Sequence, residues 1–112
     1  FTQKPDGISL FERLLKETDP ALVKIELDLF WAVKAGEDAG ALIDRLSSRL
    51  YAYHVKDMRA DGGMVAVGEG AALFKPKGSA GVRHFYVEND QAPAPYLPDV
   101  TTSFQTLRSL RF

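Results

Sequence analysis

The segment YAYHVKDM, from Tyr51 to Met58, alternates two kinds of side chain. Apolar or aromatic residues occupy every second position, and His54 and Lys56 lie between them. Because successive side chains of a β-strand point to opposite faces, the pattern predicts a strand with one face against helices and one face with polar groups. The face predicted to pack under the helices consists of Tyr51, Tyr53 and Val55.

Further strands are predicted on both sides of this segment, over residues 21–31 and 82–90. Their faces predicted to pack under helices consist of Val23, Ile25 and Leu27 in the first strand, and of Phe85 and Val87 in the second. Amphipathic patterns predict helices over residues 7–20, 36–50 and 102–112, the middle one with Leu42, Ile43, Leu46 and Leu50 on one side. Capping signals support their starts, namely the Ser9/Glu12 pair, Asp38 and the Thr102/Gln105 pair. In the last helix the residues predicted to face inward are Phe104, Leu107 and Leu110. Strands that alternate with helices predict an α/β fold of parallel βα units with right-handed crossovers.

The segments between these elements are predicted to be mostly irregular. Residues 60–70 are rich in glycine, although the MVAV within them could extend a strand. Residues 71–81 begin like a helix, which Pro76 and Gly78 break early. Residues 91–100 read as a proline-rich loop.

Polar side chains occur toward the carboxyl end of each predicted strand. Strands of an open parallel sheet are normally apolar on both faces, so a polar inner face fits a barrel better. In a barrel the C-terminal strand ends open into one site, where we expect Asp28, His54 and Glu88. Two carboxylates and an imidazole suit a divalent cation such as Mn²⁺, Co²⁺, Mg²⁺ or Zn²⁺. On the pattern alone, ordinary polar residues at strand ends are the competing interpretation.

Four segments together resemble a known family: VKIELDLFWAVKAG (23–36), RLYAYHVKDM (49–58), VGEG (67–70) and GVRHFYVEND (81–90). In this order they resemble the C-terminal part of the sugar phosphate isomerase/epimerase family, the xylose isomerase-like TIM barrels. The resemblance runs from about residue 7 to residue 112. It implies that residues 1–112 are a single C-terminal portion with about three of the eight strands, since a complete barrel takes roughly 250 residues. Between residues 70 and 81 the chain departs from its relatives, which typically have a full helix there.

The resemblance also implies a metal site and a reaction. The metal ligands would be Asp28, His54 and Glu88, and the metal would hold the carbonyl and an adjacent hydroxyl oxygen of a sugar. A base would remove the proton α to the carbonyl, giving an enediolate that is re-protonated to the isomer or epimer. Glu88 matches one of the two glutamates that form the acid/base pair, and the other lies on an upstream strand that this sequence does not contain.

Three residues are predicted to contact substrate, each with a structural alternative. Lys56 could bind a substrate oxygen or pair with Asp57, Glu26 or another acid at a strand end. Trp31 could wall the sugar site or simply pack, and Arg59 could reach a substrate or lie exposed on the surface. Three other polar residues are interpreted structurally first: Asp57 as an outward cap or salt-bridge partner, His84 as a core histidine below Glu88, and Asp90 as a turn residue or an orienter of the metal site.

Composition limits the partners. The 112 residues carry a formal net charge of -1 and contain no cysteine, so a disulfide framework and a thiolate metal site are excluded. Interspersed charges argue against nucleic acid, an anionic membrane and the endonucleases of the same superfamily, and no apolar run approaches the roughly 18 residues of a membrane span. We expect a small-molecule sugar as partner. A cytoplasmic location is favoured, but export stays possible because the chain begins at Phe1 rather than Met and the true N-terminus is not in view.

One alternative function comes from a different class. Three strands with open edges and an uncovered inner face would favour association. The chain could therefore be a catalytically inactive piece of a barrel that assembles with itself or with a complementary fragment.

Overall fold

Three parallel strands form the central sheet in a computed structural model that describes residues 1–70 and 82–110. In chain order the elements are α1 (Leu10–Glu17), β1 (Ile25–Asp28), α2 (Leu29–Lys34), α3 (Ala39–Leu46), β2 (Leu50–Val55), β3 (Asp57–Met58), β4 (Met64–Val65), β5 (His84–Val87) and α4 (Leu97–Ser109). The sheet has the order β1-β2-β5, and both pairings are parallel. The predicted α/β fold with parallel βα units is therefore confirmed. The short helix predicted over residues 71–81 lies outside the described residues, as does the end of the last predicted helix.

Two helix starts agree with their predicted caps. The Ser9 hydroxyl accepts a hydrogen bond from the Glu12 backbone N–H at 3.1 Å, at the start of α1. The Asp38 carboxylate accepts one from the Ala41 N–H at 2.9 Å, at the start of α3. Each cap satisfies an N–H group that has no partner within the helix, which is why these residue types mark the first turn.

The first strand is shorter than predicted. It covers Ile25–Asp28, and α2 follows without a loop, so Trp31 lies on a helix rather than on a strand. Asp28 ends the strand and caps the helix, because its Oδ1 accepts from the Trp31 N–H at 3.0 Å. A short apolar run has no period that separates strand from helix, and this is why the prediction continued the strand.

The last helix begins earlier than predicted. It starts at Leu97, so the predicted capping pair Thr102/Gln105 is wrong and both residues lie inside α4. Pro98 lies in the first turn, where a missing N–H costs nothing. Phe104 was predicted to face inward, but it is 61% exposed, whereas Leu107 packs against the core. The small residue Ser103 is the buried one, and its Oγ accepts from the Val67 N–H at 2.9 Å.

The core lies where β1 and β2 meet α2 and α3. Its buried apolar residues include Leu27, Leu29, Leu42, Leu46, Tyr53 and Val55. The buried face of β1 and the predicted inward face of α3 are both confirmed. In each element the spacing of the apolar residues matches the period of the structure, which is two residues in the strand and 3.6 residues in the helix.

The edge strand β5 is less covered than predicted. Phe85 and Val87 were expected under helices but are 43% and 41% exposed, and among the described strands β5 has a sheet neighbour on one side only. His84 was expected in the core but is exposed, and its Nε2 lies 3.1 Å from the hydroxyl of Tyr51. Tyr51 is likewise 43% exposed, so its predicted place under the helices is wrong.

A small antiparallel pair follows the central strand. β3 pairs with β4, which confirms that part of MVAV extends a strand. Asp57 in β3 is 1% exposed, so it points into the protein and not outward. Its carboxylate accepts hydrogen bonds from the N–H groups of Met58, Gly68 and Gly70 at 2.8, 2.9 and 3.0 Å. The prediction of a capping role holds, and Asp57 fixes the VGEG turn against the strand.

Glycine is needed twice in this turn. Gly68 has a φ of 101°, a left-handed conformation that residues with a Cβ rarely adopt. Gly70 lies so close to the Asp57 carboxylate that a Cβ would collide with it. The turn is therefore built around the buried acid.

None of the helices in the described ranges is long and apolar enough to cross a membrane.

Candidate metal centre

Asp28, His54 and Glu88 converge at the carboxyl ends of the three parallel strands. Asp28 is the last residue of β1, His54 lies opposite it on β2, and Glu88 directly follows β5. Each offers a ligand atom within 4.8 Å of the others, and all three residues are half-buried. The sequence thus brings together three residues that are 26 and 34 positions apart because parallel strands end at one edge of the sheet.

The His54 ring has acids on both sides. Its Nδ1 lies 3.0 Å from Glu88 Oε2 and 3.7 Å from Asp28 Oδ2. On the other side, its Nε2 contacts Glu26 Oε1. One ring nitrogen therefore faces the two other predicted ligands, and the second faces a different carboxylate.

Lys56 lies beneath the same acids. Its side chain is 3% exposed, and its Nζ lies 3.0 Å from Asp28 Oδ2, 3.0 Å from Glu88 Oε2 and 2.8 Å from Asp90 Oδ2. Burial acts to lower the pKa of this ammonium, but the hydrogen bonds to Asp90, Glu88 and Asp28 outweigh burial and raise it above the ordinary lysine value. Of the predicted alternatives, the structure places Lys56 in ion pairs with acids at strand ends.

The donor set fits a divalent cation in both chemistry and charge. Four carboxylates, those of Glu26, Asp28, Glu88 and Asp90, surround one ammonium and one imidazole. Negative charge therefore remains after Lys56 is paired. Carboxylate oxygen and imidazole nitrogen are ligands shared by Mn²⁺, Co²⁺ and Zn²⁺, and Mg²⁺ prefers the oxygens.

The helix cap of Asp28 sets which oxygen is free for the site. Oδ1 accepts from the Trp31 N–H, while Oδ2 faces His54 and Lys56. The first turn of α2 thus holds the carboxylate in one orientation. The group that fixes this orientation is a backbone N–H, that of Trp31, and not another side chain.

The predicted substrate contacts lie in different places. Trp31 is 46% exposed and borders a cavity of about 420 Å³, which is also lined by Glu26, Asp28, Phe1 and Phe11. Arg59 has an exposed side chain whose Nε lies 3.3 Å from Asp61 Oδ1. Trp31 is therefore next to the metal candidates, whereas Arg59 has the surface position that was its structural alternative.

The sequence interpretation did not place Glu26 or Asp90 correctly in the cluster, since it considered Glu26 only as a partner of Lys56, whereas Glu26 contacts His54. Glu26 lies two positions before Asp28, so the same alternation that placed Asp28 on the polar face could have identified it. Asp90 was expected as a turn residue or an orienter, and its carboxylate binds Lys56. Its contact partner depends on how two strand ends are spaced, which the sequence pattern does not contain.

Comparisons with known proteins give structural neighbours. No protein-family model matches the sequence, and no curated protein matches it. Two solved structures from Parabacteroides distasonis ATCC 8503 do, each described as a sugar phosphate isomerase/epimerase. One has a TM-score of 0.77 and 23% identity over 93% of this chain. The other has a TM-score of 0.71 and 26% identity over 96% of this chain.

The match covers only part of the neighbours. This chain spans 37% of the first structure and 38% of the second. That limited share agrees with the prediction of an incomplete barrel. The resemblance inferred from the motifs is confirmed: this chain is similar in structure to part of a sugar phosphate isomerase/epimerase.

Proposed function

We propose that this chain supplies part of the active site of a divalent-metal-dependent isomerase or epimerase that acts on a sugar or sugar phosphate. The observation that supports this most is the convergence of Asp28, His54 and Glu88 at three adjacent strand ends. The neighbouring structures are described as sugar phosphate isomerase/epimerases, which supports the substrate class. Since the chain spans less than two fifths of those structures, we assign the reaction to the complete barrel, of which we propose residues 1–112 to be the C-terminal portion.

Each of the three residues has a proposed task. Asp28 and His54 would hold the cation through Oδ2 and Nδ1, which lie 3.7 Å apart. Glu88 would hold it through one carboxylate oxygen and, as the catalytic base, would take the proton α to the substrate carbonyl. A bound divalent cation supplies Lewis-acid polarisation of that carbonyl, which makes the α-proton more acidic.

Lys56 and Trp31 are proposed neighbours of the substrate. An ammonium has three N–H donors, and three carboxylates already accept from Lys56. A sugar oxygen would bind Lys56 by replacing one of these acids, and Asp90 is the most exposed of the three. Trp31 offers a flat apolar surface at the border of the cavity beside Asp28. Arg59 is the weakest of the three proposed contacts because its side chain pairs with Asp61.

Binding of Mn²⁺ tests the site directly. We expect the protein to bind Mn²⁺, followed by loss of the electron paramagnetic resonance signal of the free ion. Because mutation of outer-shell partners already costs about 10- to 100-fold in metal affinity, His54→Gln or Glu88→Gln should weaken binding at least tenfold. Asp61→Asn removes an exposed acid elsewhere and should leave the affinity unchanged. Equal affinity in all four proteins would refute the proposed metal site.

Exposed apolar surface favours a second candidate, the self-assembling or structural barrel piece. Phe85, Val87 and Phe104 are 43%, 41% and 61% exposed, on the edge strand and the last helix. This candidate predicts an oligomer in sedimentation velocity and no exchange of a ketose α-proton in D₂O with Mn²⁺ present. Measurable exchange that Glu88→Gln abolishes at saturating Mn²⁺ would rule out a catalytically inactive piece.

A further inference from the structure

We infer that Glu26 is a positioning residue, which keeps the ring proton of His54 on Nε2 and so leaves Nδ1 free to bind a cation. The inference rests on the proposed metal site, since it concerns how one of its three ligands is prepared. Its basis is the contact between His54 Nε2 and Glu26 Oε1, on the side of the ring away from Asp28 and Glu88.

Strand geometry puts two acids on opposite sides of one ring. Glu26 and Asp28 are two residues apart on β1, so they share a face and lie roughly 6.5 Å apart along the strand. His54 lies on the neighbouring strand with its Cα paired to Asp28. The distance between Glu26 and Asp28 along the strand is large enough for the imidazole ring of His54 to lie between their two carboxylates. The Glu-x-Asp spacing on β1 therefore gives each ring nitrogen its own carboxylate.

The two sides of the ring compete for one proton. A neutral imidazole carries its proton on one nitrogen and accepts with the other. Glu88 Oε2 lies 3.0 Å from Nδ1 and could accept a hydrogen bond from a proton held there, and that proton would block Nδ1 as a ligand. Glu26 accepts on the Nε2 side, so its contact favours the tautomer with a free Nδ1. Ligand histidines commonly donate their second N–H to a carboxylate in this way.

Charge assigns different tasks to the neighbouring acids. Glu88 Oε2 and Asp28 Oδ2 both lie 3.0 Å from the Lys56 ammonium, so the oxygens that face the ring already accept from a cation. The contacts of Glu26 in the cluster are with His54. Glu26 is 48% exposed on its side chain, so replacing it removes little packing. A change in the His54 tautomer can therefore be separated from a loss of structure.

The experiment compares Glu26→Ala and Glu26→Gln with the parent protein and with Glu17→Gln as the matched control. Glu17 is an exposed acid on α1, so its replacement removes the same charge at a distance from the ring. Long-range ¹H–¹⁵N correlation spectra at alkaline pH report which nitrogen of His54 carries the proton, without any metal. Titration with Co²⁺, followed by its visible absorption, reports the affinity of the same samples.

We expect a proton on Nε2 in the parent protein and in Glu17→Gln, and a shift toward Nδ1 in Glu26→Ala. Co²⁺ affinity should fall about 10- to 100-fold in Glu26→Ala, the usual effect of losing an outer-shell partner. Glu26→Gln keeps a carbonyl oxygen as acceptor, so its tautomer ratio and its Co²⁺ affinity should lie between those of the parent protein and those of Glu26→Ala.

Failure of the inference and failure of the metal site give different results. A parent ring protonated on Nδ1, or the same tautomer and Co²⁺ affinity in Glu26→Ala as in the parent, would overturn the role of Glu26 and leave the site intact. A tautomer shift in Glu26→Ala without Co²⁺ binding by any of the proteins would support the role of Glu26 and refute the metal site.

Discussion

Replacing Asp57 by Asn should destabilise the protein more than any other isosteric change of an acid near the site. The carboxylate is 1% exposed and accepts from three backbone N–H groups, with Oδ1 facing Met58 and Oδ2 facing Gly68 and Gly70. An Asn side chain has one acceptor oxygen and one NH₂ group. Whichever way the amide is turned, its NH₂ faces at least one of these donors.

The magnitude follows from how many bonds are lost. Hydrogen bonds to a charged group contribute about 1.5–3 kcal/mol each. If the amide oxygen faces Gly68 and Gly70, one bond is lost and the free energy of unfolding falls by about 1.5–3 kcal/mol. If it faces Met58, two bonds are lost and the fall is about twice as large. Either value is a large part of the 5–15 kcal/mol that typically stabilises a domain.

Urea unfolding followed by circular dichroism measures this difference, with Asp61→Asn as the control. Asp61 also accepts from a backbone N–H, that of Gly63, but its side chain is 69% exposed, so we expect a change of about 0.5 kcal/mol or less. Amide hydrogen exchange should accelerate at Gly68 and Gly70 in Asp57→Asn alone. If Asp57→Asn and Asp61→Asn had equal stabilities, the role of Asp57 as the anchor of the turn would be refuted.

Three further changes test other features of the packing. Tyr53 is fully buried, and its hydroxyl has no hydrogen-bond partner within residues 1–70 and 82–110. Burial, and after it the charge of Asp44, raises the pKa of this hydroxyl. Tyr53→Phe should therefore leave the free energy of unfolding unchanged or raise it by about 1 kcal/mol in a urea titration. Ser103→Ala leaves the buried Val67 N–H without its acceptor and should cost about 1–3 kcal/mol in the same assay, whereas a cost near zero would contradict this. Asp38→Ala removes the cap of α3 and should lower the melting temperature through a loss of about 1 kcal/mol, and an unchanged melting temperature would show that the cap is dispensable.

The features that followed from the sequence depend on local, periodic or capping rules. Alternation along β1 identified its buried face, and the caps at Ser9 and Asp38 marked the starts of two helices. The parallel order of three strands then brought Asp28 and His54 to one edge of the sheet. These inferences work because each needs only neighbouring residues and the direction of the strand.

The features that were missed depend on contacts between distant segments. Whether Phe85 is covered depends on what lies beside an edge strand, and its alternating pattern is the same in either case. The burial of Asp57 arises because the VGEG turn folds back onto β3, 11 and 13 residues later. The start of α4 at Leu97 was missed because the prolines of residues 91–100 predict a loop. Proline is disfavoured inside a helix but tolerated in its first turn.

The buried ammonium of Lys56 has a consequence for how the protein reaches its folded state. Many metal sites place acids so close together that the apoprotein repels itself, and folding then depends on the ion. Here the chain brings its own permanent cation, held at 2.8–3.0 Å by three of the four acids. The strand ends can therefore come together during synthesis before any metal arrives. We therefore expect the circular dichroism spectrum of the folded protein at ambient temperature to stay unchanged after treatment with a chelator, and a loss of secondary structure would contradict this role of Lys56.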